Sequence, residues 1–336
     1  MFPNLFRNTF GNMHRVFFRA FFQSMCTGCL LAALSMSGLI RPVVAQQPAA
    51  EPAPEPGSAA DFVQQGQKLS REGRQDDALV LYQRAMAKSP DFYEAHLWSG
   101  VALDLKGDYA QAQEHFAKAI EVAPGDAKQQ ALRATAVSYQ FAGDMFKAAQ
   151  NELQVFNARM AKSDQVGAAE ICNELARMYL ESGDAEHAGK WYKMGYETIS
   201  HKEGLTDADK NLWLFRWESA QARVAARRGQ ADDARQHVAA AKAALDKANN
   251  PDQARFYPYL TGYVAFYSGD NKTAIAELQK ADQHDPLILA LLAESYEKSG
   301  DAVQAKTYYQ KVLDINAHNP TNAFARPLAQ KKLAGS

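Results

Sequence analysis

Four aromatic residues, Phe256, Tyr259, Tyr263 and Phe266, recur at intervals of three and four, a spacing that puts their side chains on one face of a helix. Upstream, Arg133, Asn173, Arg177, Arg216 and Arg223 stand in stretches with the same helical pattern. Arginine beside tyrosine suits an extended acidic or carboxylate-bearing peptide, because the guanidinium fork pairs with carboxylates and the rings add rigid contact area. A four-aromatic stripe also serves as core against a neighbouring helix, and arginines along a helix also make a solvated face. Both readings stay open at this point.

Catalysis has no comparable candidate. The chain lacks GxSxG, a phosphate loop, a dinucleotide-binding fingerprint and HExxH. Its eight histidines are scattered singly, with His115 and His187 on helix faces expected to meet water. Asp207 and Asp209 are expected in a loop over residues 201–209, with no ligand set around them. Asn271, Lys272 and Thr273 have glycosylation spacing but follow Gly269 at a helix start, where capping is expected. Cys172 reads as a small buried residue. The expectation is therefore no catalysis, no metal and no cofactor.

Any binding face must be positioned by helices, and the helices announce themselves through a repeat. Gly73, Gly107, Gly143, Gly183, Gly229, Gly269 and Gly300 are each followed, five residues on, by Ala78, Ala112, Ala148, Ala188, Ala234, Ala274 and Ala305. Seven residues before each glycine stands a tiny one: Gly66, Gly100, Ala136, Ala176, Ala222, Gly262 and Ala293. Nine after come Tyr82, Phe116, Glu152, Tyr192, Val238, Leu278 and Tyr309, with Glu152 alone off pattern. A first helix ending on a left-handed glycine, followed by a capped second helix, makes a hairpin, and small residues let the pair approach closely. Ala112 is expected where the partner helix comes nearest, close to Gly100. Each hairpin leaves an apolar face open, so neighbours must stack.

In residues 59–125 the period is 34, carrying Gly66 to Gly100, Ala78 to Ala112, Tyr82 to Phe116 and Pro90 to Pro124. This closely resembles the tetratricopeptide repeat family. From 126 to 317 five divergent units keep the glycine–alanine skeleton at intervals from 31 to 46, and 318–336 is expected to supply a capping helix or tail. The resemblance implies an all-α, right-handed superhelical solenoid of about seven helix-turn-helix repeats. It also implies that the first helix of each hairpin lines the concave groove, through residues thirteen, ten, six and three before the glycine. Those positions hold the arginines, Asn173 and the aromatic stripe named above. In chaperone-binding relatives a two-carboxylate clamp uses lysine and asparagine in the first units; here those sites hold Val63, Gln67, Leu97 and Val101, so that clamp is not carried over.

Charge and the chain's start bound the rest. A formal net charge of −1 excludes the basic excess that nucleic-acid binding needs. Residues 1–45 carry four arginines, no acid and the apolar run LLAALSMSGLI, and Val43 and Ala45 suit a peptidase cut. An export signal cleaved after Ala45 is expected, with an uncleaved membrane anchor over residues 20–40 as the alternative. Cys26 and Cys29 lie within that segment, and the proline-rich stretch 46–58 reads as a tether. The expected product is a periplasmic or secreted scaffold binding a protein or peptide partner, the alternative being a constitutive accessory subunit of an envelope assembly.

Overall fold

The computed structural model describes residues 54–335, and the signal and most of the tether lie outside them. Among the described residues every regular element is a helix. Seven hairpins follow in order: α1 (Ala59–Arg71) with α2 (Gln75–Lys88), α3 (Tyr93–Lys106) with α4 (Tyr109–Val122), and α5 (Ala127–Phe141) with α6 (Met145–Ala161). Next come α7 (Gln165–Glu181) with α8 (Ala185–Ser200), and α9 (Asp207–Arg227) with α10 (Ala231–Ala248). A single turn, α11 (Pro251–Ala254), precedes α12 (Tyr257–Tyr267) with α13 (Asn271–Leu278), and α14 (Pro286–Lys298) pairs with α15 (Ala302–Asp314) before a last helix, α16 (Pro320–Ala334). Each helix packs on its hairpin partner and each second helix packs on the first helix of the next hairpin, while first helices also pack on one another from the first to the third hairpin and from the fifth to the seventh. This is a helical-repeat solenoid.

The seven spaced glycines all take positive φ, between 72° and 97°, which lets each first helix close and the chain reverse. Aspartates after the turn do the capping: Asp144, Asp184, Asp270 and Asp301 each accept the backbone N–H three residues on, at 3.0 Å. Asp270 thus takes the role expected of Asn271, which is the first helical residue. Asp207 and Asp209 are not in a loop either. Thr206 caps α9, and Asp209 completes a capping box with it, the backbone N–H of each donating to the side chain of the other at 3.1 Å.

The repeat alanines are buried from Ala78 to Ala305. Small residues of the first helices face large side chains. A Cβ on Gly100 would sit 2.8 Å from the Phe116 ring, so the glycine makes room for the aromatic nine positions past the turn. Gly262 does the same for Leu278, at 2.6 Å. In the hairpins of Gly66, Gly100 and Gly262, bare backbone packs against a large side chain. His115 and His187 are half-buried instead of facing water, His115 against His96 Nδ1 at 3.2 Å and His187 against Asp184 Oδ2 at 2.6 Å. Cys172 is buried, and burial pushes its thiol up to about 12.

The C-terminal helix α16 packs on α14 and α15 and also reaches α5 and α7, so it covers more than the last hairpin. The turn leading into it is pinned by Asp104 of α3. His318 Nε2 lies 2.8 Å from Asp104 Oδ2, and Ser138 Oγ donates to Asp104 Oδ1 at 2.9 Å. Gln140 Nε2 donates to the Pro320 carbonyl at 3.1 Å.

Candidate functional site

Burial along the first helices grades with register. In the fourth to sixth hairpins the side chain thirteen residues before the glycine is open or half-open, as in Glu170 and Phe256; ten or six before, Asn173, Arg177, Ser219, Arg223 and Tyr259 are half-buried; three before, Leu180, Ala226 and Phe266 are buried. The outer positions of α7, α9 and α12 therefore leave a recess of about 280 Å³, while the inner ones pack beneath it. Asn173, Arg177, Arg216, Arg223, Phe256 and Tyr259 all line this recess.

The same gradient divides the aromatic stripe. Phe256 is 38 % exposed at the rim, whereas Tyr263 is 0 % exposed and Phe266 lies under Lys298, whose Nζ is 3.7 Å from the ring centre. Tyr263 and Phe266 are therefore core residues, because the next hairpin and Glu181 of α7 close over them; the Tyr263 hydroxyl donates to Glu181 Oε1 at 3.4 Å. Arg133 lies elsewhere, in a second recess described below. Six lining residues were not among the sequence candidates: Glu174, Tyr192, Phe215, Ser219, Gln253 and Leu260. Ser219 stands ten before Gly229, a position the register would have found, but Tyr192 stands nine after Gly183, where the repeat signals only core.

Polar groups in the first recess are mostly unspent. The Arg223 guanidinium lies 5.3 Å from the Tyr192 ring centre and 5.9 Å from that of Tyr259, and Arg177 lies 5.7 Å from Tyr259. Arg177 Nη2 reaches Asp285 Oδ2 only at 3.7 Å, and Arg223 Nε donates to the Ser219 carbonyl at 3.3 Å. Arg177 Nε, Ser219 Oγ and the hydroxyls of Tyr192 and Tyr259 are buried without hydrogen-bond partners. Burial pushes both tyrosine hydroxyls above the ordinary range, so they stay protonated donors. Behind them burial also pushes the Glu181 carboxyl up, against the pull of Arg177, Arg227 and Arg223. An unsatisfied N–H, three hydroxyls and half-buried guanidinium charge make this a donor-rich recess suited to an oxyanion such as a carboxylate.

The second recess, about 360 Å³, is bordered by Leu97, Trp98 and Val101 of α3, Arg133 of α5, Glu152 and Arg159 of α6, and Glu174 of α7, with His318 to Pro320 forming a wall. Arg133 holds Glu174 with its fork, Nε donating at 3.2 Å. Glu174 borders both recesses, which places them side by side along the first-helix face. Among the described residues no three of histidine, cysteine, aspartate and glutamate are grouped to hold a metal ion, and no helix is long and apolar enough to cross a membrane.

Stacked hairpins closed by left-handed glycines, with polar recesses along their first helices, define the class as a helical-repeat protein. Two stretches, residues 69–136 and 288–319, match family models described as tetratricopeptide repeat. Over those residues the chain carries tetratricopeptide repeats. No curated protein matches its sequence. Among solved structures it is similar to the apo form of RapI, at 11 % identity over 83 % of this chain and 99 % of that one, with a TM-score of 0.52. It is also similar to a tetratricopeptide repeat protein from Parabacteroides merdae, at 13 % identity over 82 % of this chain and 97 % of that one, with a TM-score of 0.49. At such identities the likeness is one of fold.

Proposed function

We propose that the chain is a non-catalytic scaffold that binds protein or peptide segments along its first-helix face, with an acidic group of the partner seated in the recess between α7, α9 and α12. One observation carries this reading: four buried polar atoms, Arg177 Nε, Ser219 Oγ and the hydroxyls of Tyr192 and Tyr259, border one recess and have no partner. Leaving buried donors unmet costs roughly 1–3 kcal/mol each, and a carboxylate bound there recovers part of that. The arginine-rich start and the apolar run behind it support export to the periplasm or beyond, with residues 46–58 as the tether.

Acid-rich peptides and their amidated, glutamine-replaced counterparts, titrated by fluorescence anisotropy, test the reading. Arg216 stacks over Trp213 at 4.7 Å and borders the recess without holding Glu181. Arg216→Ala is expected to weaken acid-rich peptides about tenfold or more while leaving the fold intact. Equal binding of acidic and amidated peptides overturns the acidic specificity. Stoichiometric co-purification with one envelope component that survives Arg216→Ala would favour the accessory-subunit alternative.

A further inference from the structure

The third hairpin breaks the repeat at one position, and a cavity lies there. In six hairpins the residue nine past the turn glycine is aromatic or aliphatic; in the third it is Glu152. Glu152 is 1 % exposed, and both its carboxylate oxygens lack a hydrogen-bond partner. Gln129 Oε1, another acceptor bordering the recess, is also buried without one. Against these three acceptors the same recess leaves a single buried donor unmet, Arg159 Nε.

Charge points the same way. The recess is lined by three carboxylates, Asp126, Glu152 and Glu174, and two guanidiniums, Arg133 and Arg159. Asp126 is held by Lys162 and Arg159 pairs with Asp164 at 2.9 Å, while Arg133 is bound to Glu174. Glu152 is the carboxylate left over. Trp98, Leu97 and Val101 give one side of the recess an apolar wall that suits an alkyl stem.

We propose that this recess receives a cationic side chain, the ammonium of a lysine or the guanidinium of an arginine carried by the partner segment, with Glu152 as its counter-ion and Gln129 as a further acceptor. The assignment of the cation to a peptide rests on the reading of this face as a peptide-binding surface; the charge and acceptor surplus of the recess does not. Glu174, common to both recesses, then separates a basic anchor from an acidic one on the same partner segment.

Burial, and next to it the nearby Glu174, pushes the Glu152 carboxyl well above the ordinary range, opposed by Arg133. An arriving cation favours the charged carboxylate, so binding releases a proton. The groups that share this environment are Glu174, Arg133, Arg159, Asp126 and His318, with Lys162 and Asp164 behind them.

The experiment uses the full chain and three probes: N-acetyl-lysine amide, N-acetyl-arginine amide and, as an uncharged control of similar shape, N-acetyl-norleucine amide. The lysine and arginine amides are expected to shift the Trp98 indole N–H resonance saturably, and the norleucine amide at least tenfold more weakly. Glu152→Gln, which keeps the shape, is expected to lower the affinity at least tenfold and to abolish the dependence of the binding enthalpy on buffer ionisation. Arg216→Ala is expected to leave all of this unchanged, so failure of the acidic site and failure of the cation site are told apart. Equal binding of the norleucine amide, undiminished binding by Glu152→Gln, or no saturable shift overturns the proposal. Tighter binding of putrescine than of the lysine amide overturns the peptide source.

Discussion

The two recesses share one face and one residue, Glu174, yet they are left with opposite needs. Between α7, α9 and α12 the unmet groups are an arginine N–H and three hydroxyls, with half-buried guanidiniums behind them. Beside α6 they are three acceptor oxygens and one N–H. The difference arises mainly from two registers of one repeat, Tyr192 being the one unmet donor that stands nine past the turn. In the fourth to sixth hairpins polar residues occupy first-helix positions that the stacking leaves half-open, whereas in the third a carboxylate occupies the second-helix position that elsewhere fills the core. Both registers leave buried polar atoms without partners, donors in the one and acceptors in the other. A helical-repeat array can therefore carry chemically opposite sites on neighbouring units without any change of fold.

Substitutions can break or sharpen that contrast. Tyr263→Ala removes a large side chain from beneath the donor recess and is expected to cost roughly 3–5 kcal/mol of stability, measured by urea unfolding. A loss below about 1 kcal/mol would return Tyr263 to the exposed part of the stripe. On the acceptor side, His318→Ala removes the group beside buried Asp104 that pins the wall formed by residues 318–320. The expected cost is roughly 1–3 kcal/mol, with faster amide exchange in α16 than in α1. Uniform exchange across both helices would mean that this contact does not hold the wall.

A smaller effect, of opposite sign, is expected from Glu152→Gln. The folded-state carboxyl titrates above its unfolded value near 4.5, so wild type suffers no penalty below that pH and loses stability as pH rises through the folded value. The glutamine variant does not titrate. Its advantage is expected to vanish near pH 4 and to grow to about 1 kcal/mol as pH rises above about 4.5, read as the difference between two urea curves at each pH. An advantage independent of pH would remove the buried charge from the account. The smallest stability change belongs to Phe256→Ala, within about 0.5 kcal/mol because the ring lies at an exposed rim, although it should weaken acidic peptides measurably.

Hairpin architecture was legible because its causes are local. Each glycine at positive φ, each aspartate cap and each buried alanine acts within a few turns of chain, and the spacing of seven glycines shows them directly. Six residues bordering the donor recess were legible for a related reason: register within a first helix places them on one face. Depth along that face was not. Phe256 and Phe266 share a stripe and a chemistry, and only the closure of the following hairpin makes one rim and the other core.

The sequence by itself determined the all-helical array, its seven turns and the face on which polar residues gather, since these follow from backbone preference and side-chain size at fixed intervals. Tertiary structure alone decided how deep each register lies, which oxygens of Glu152 go unmet, and that His318 returns to Asp104 across 214 residues. Those outcomes depend on how successive hairpins stack and where the chain comes back, and a contact between distant segments leaves no period in the sequence to be read.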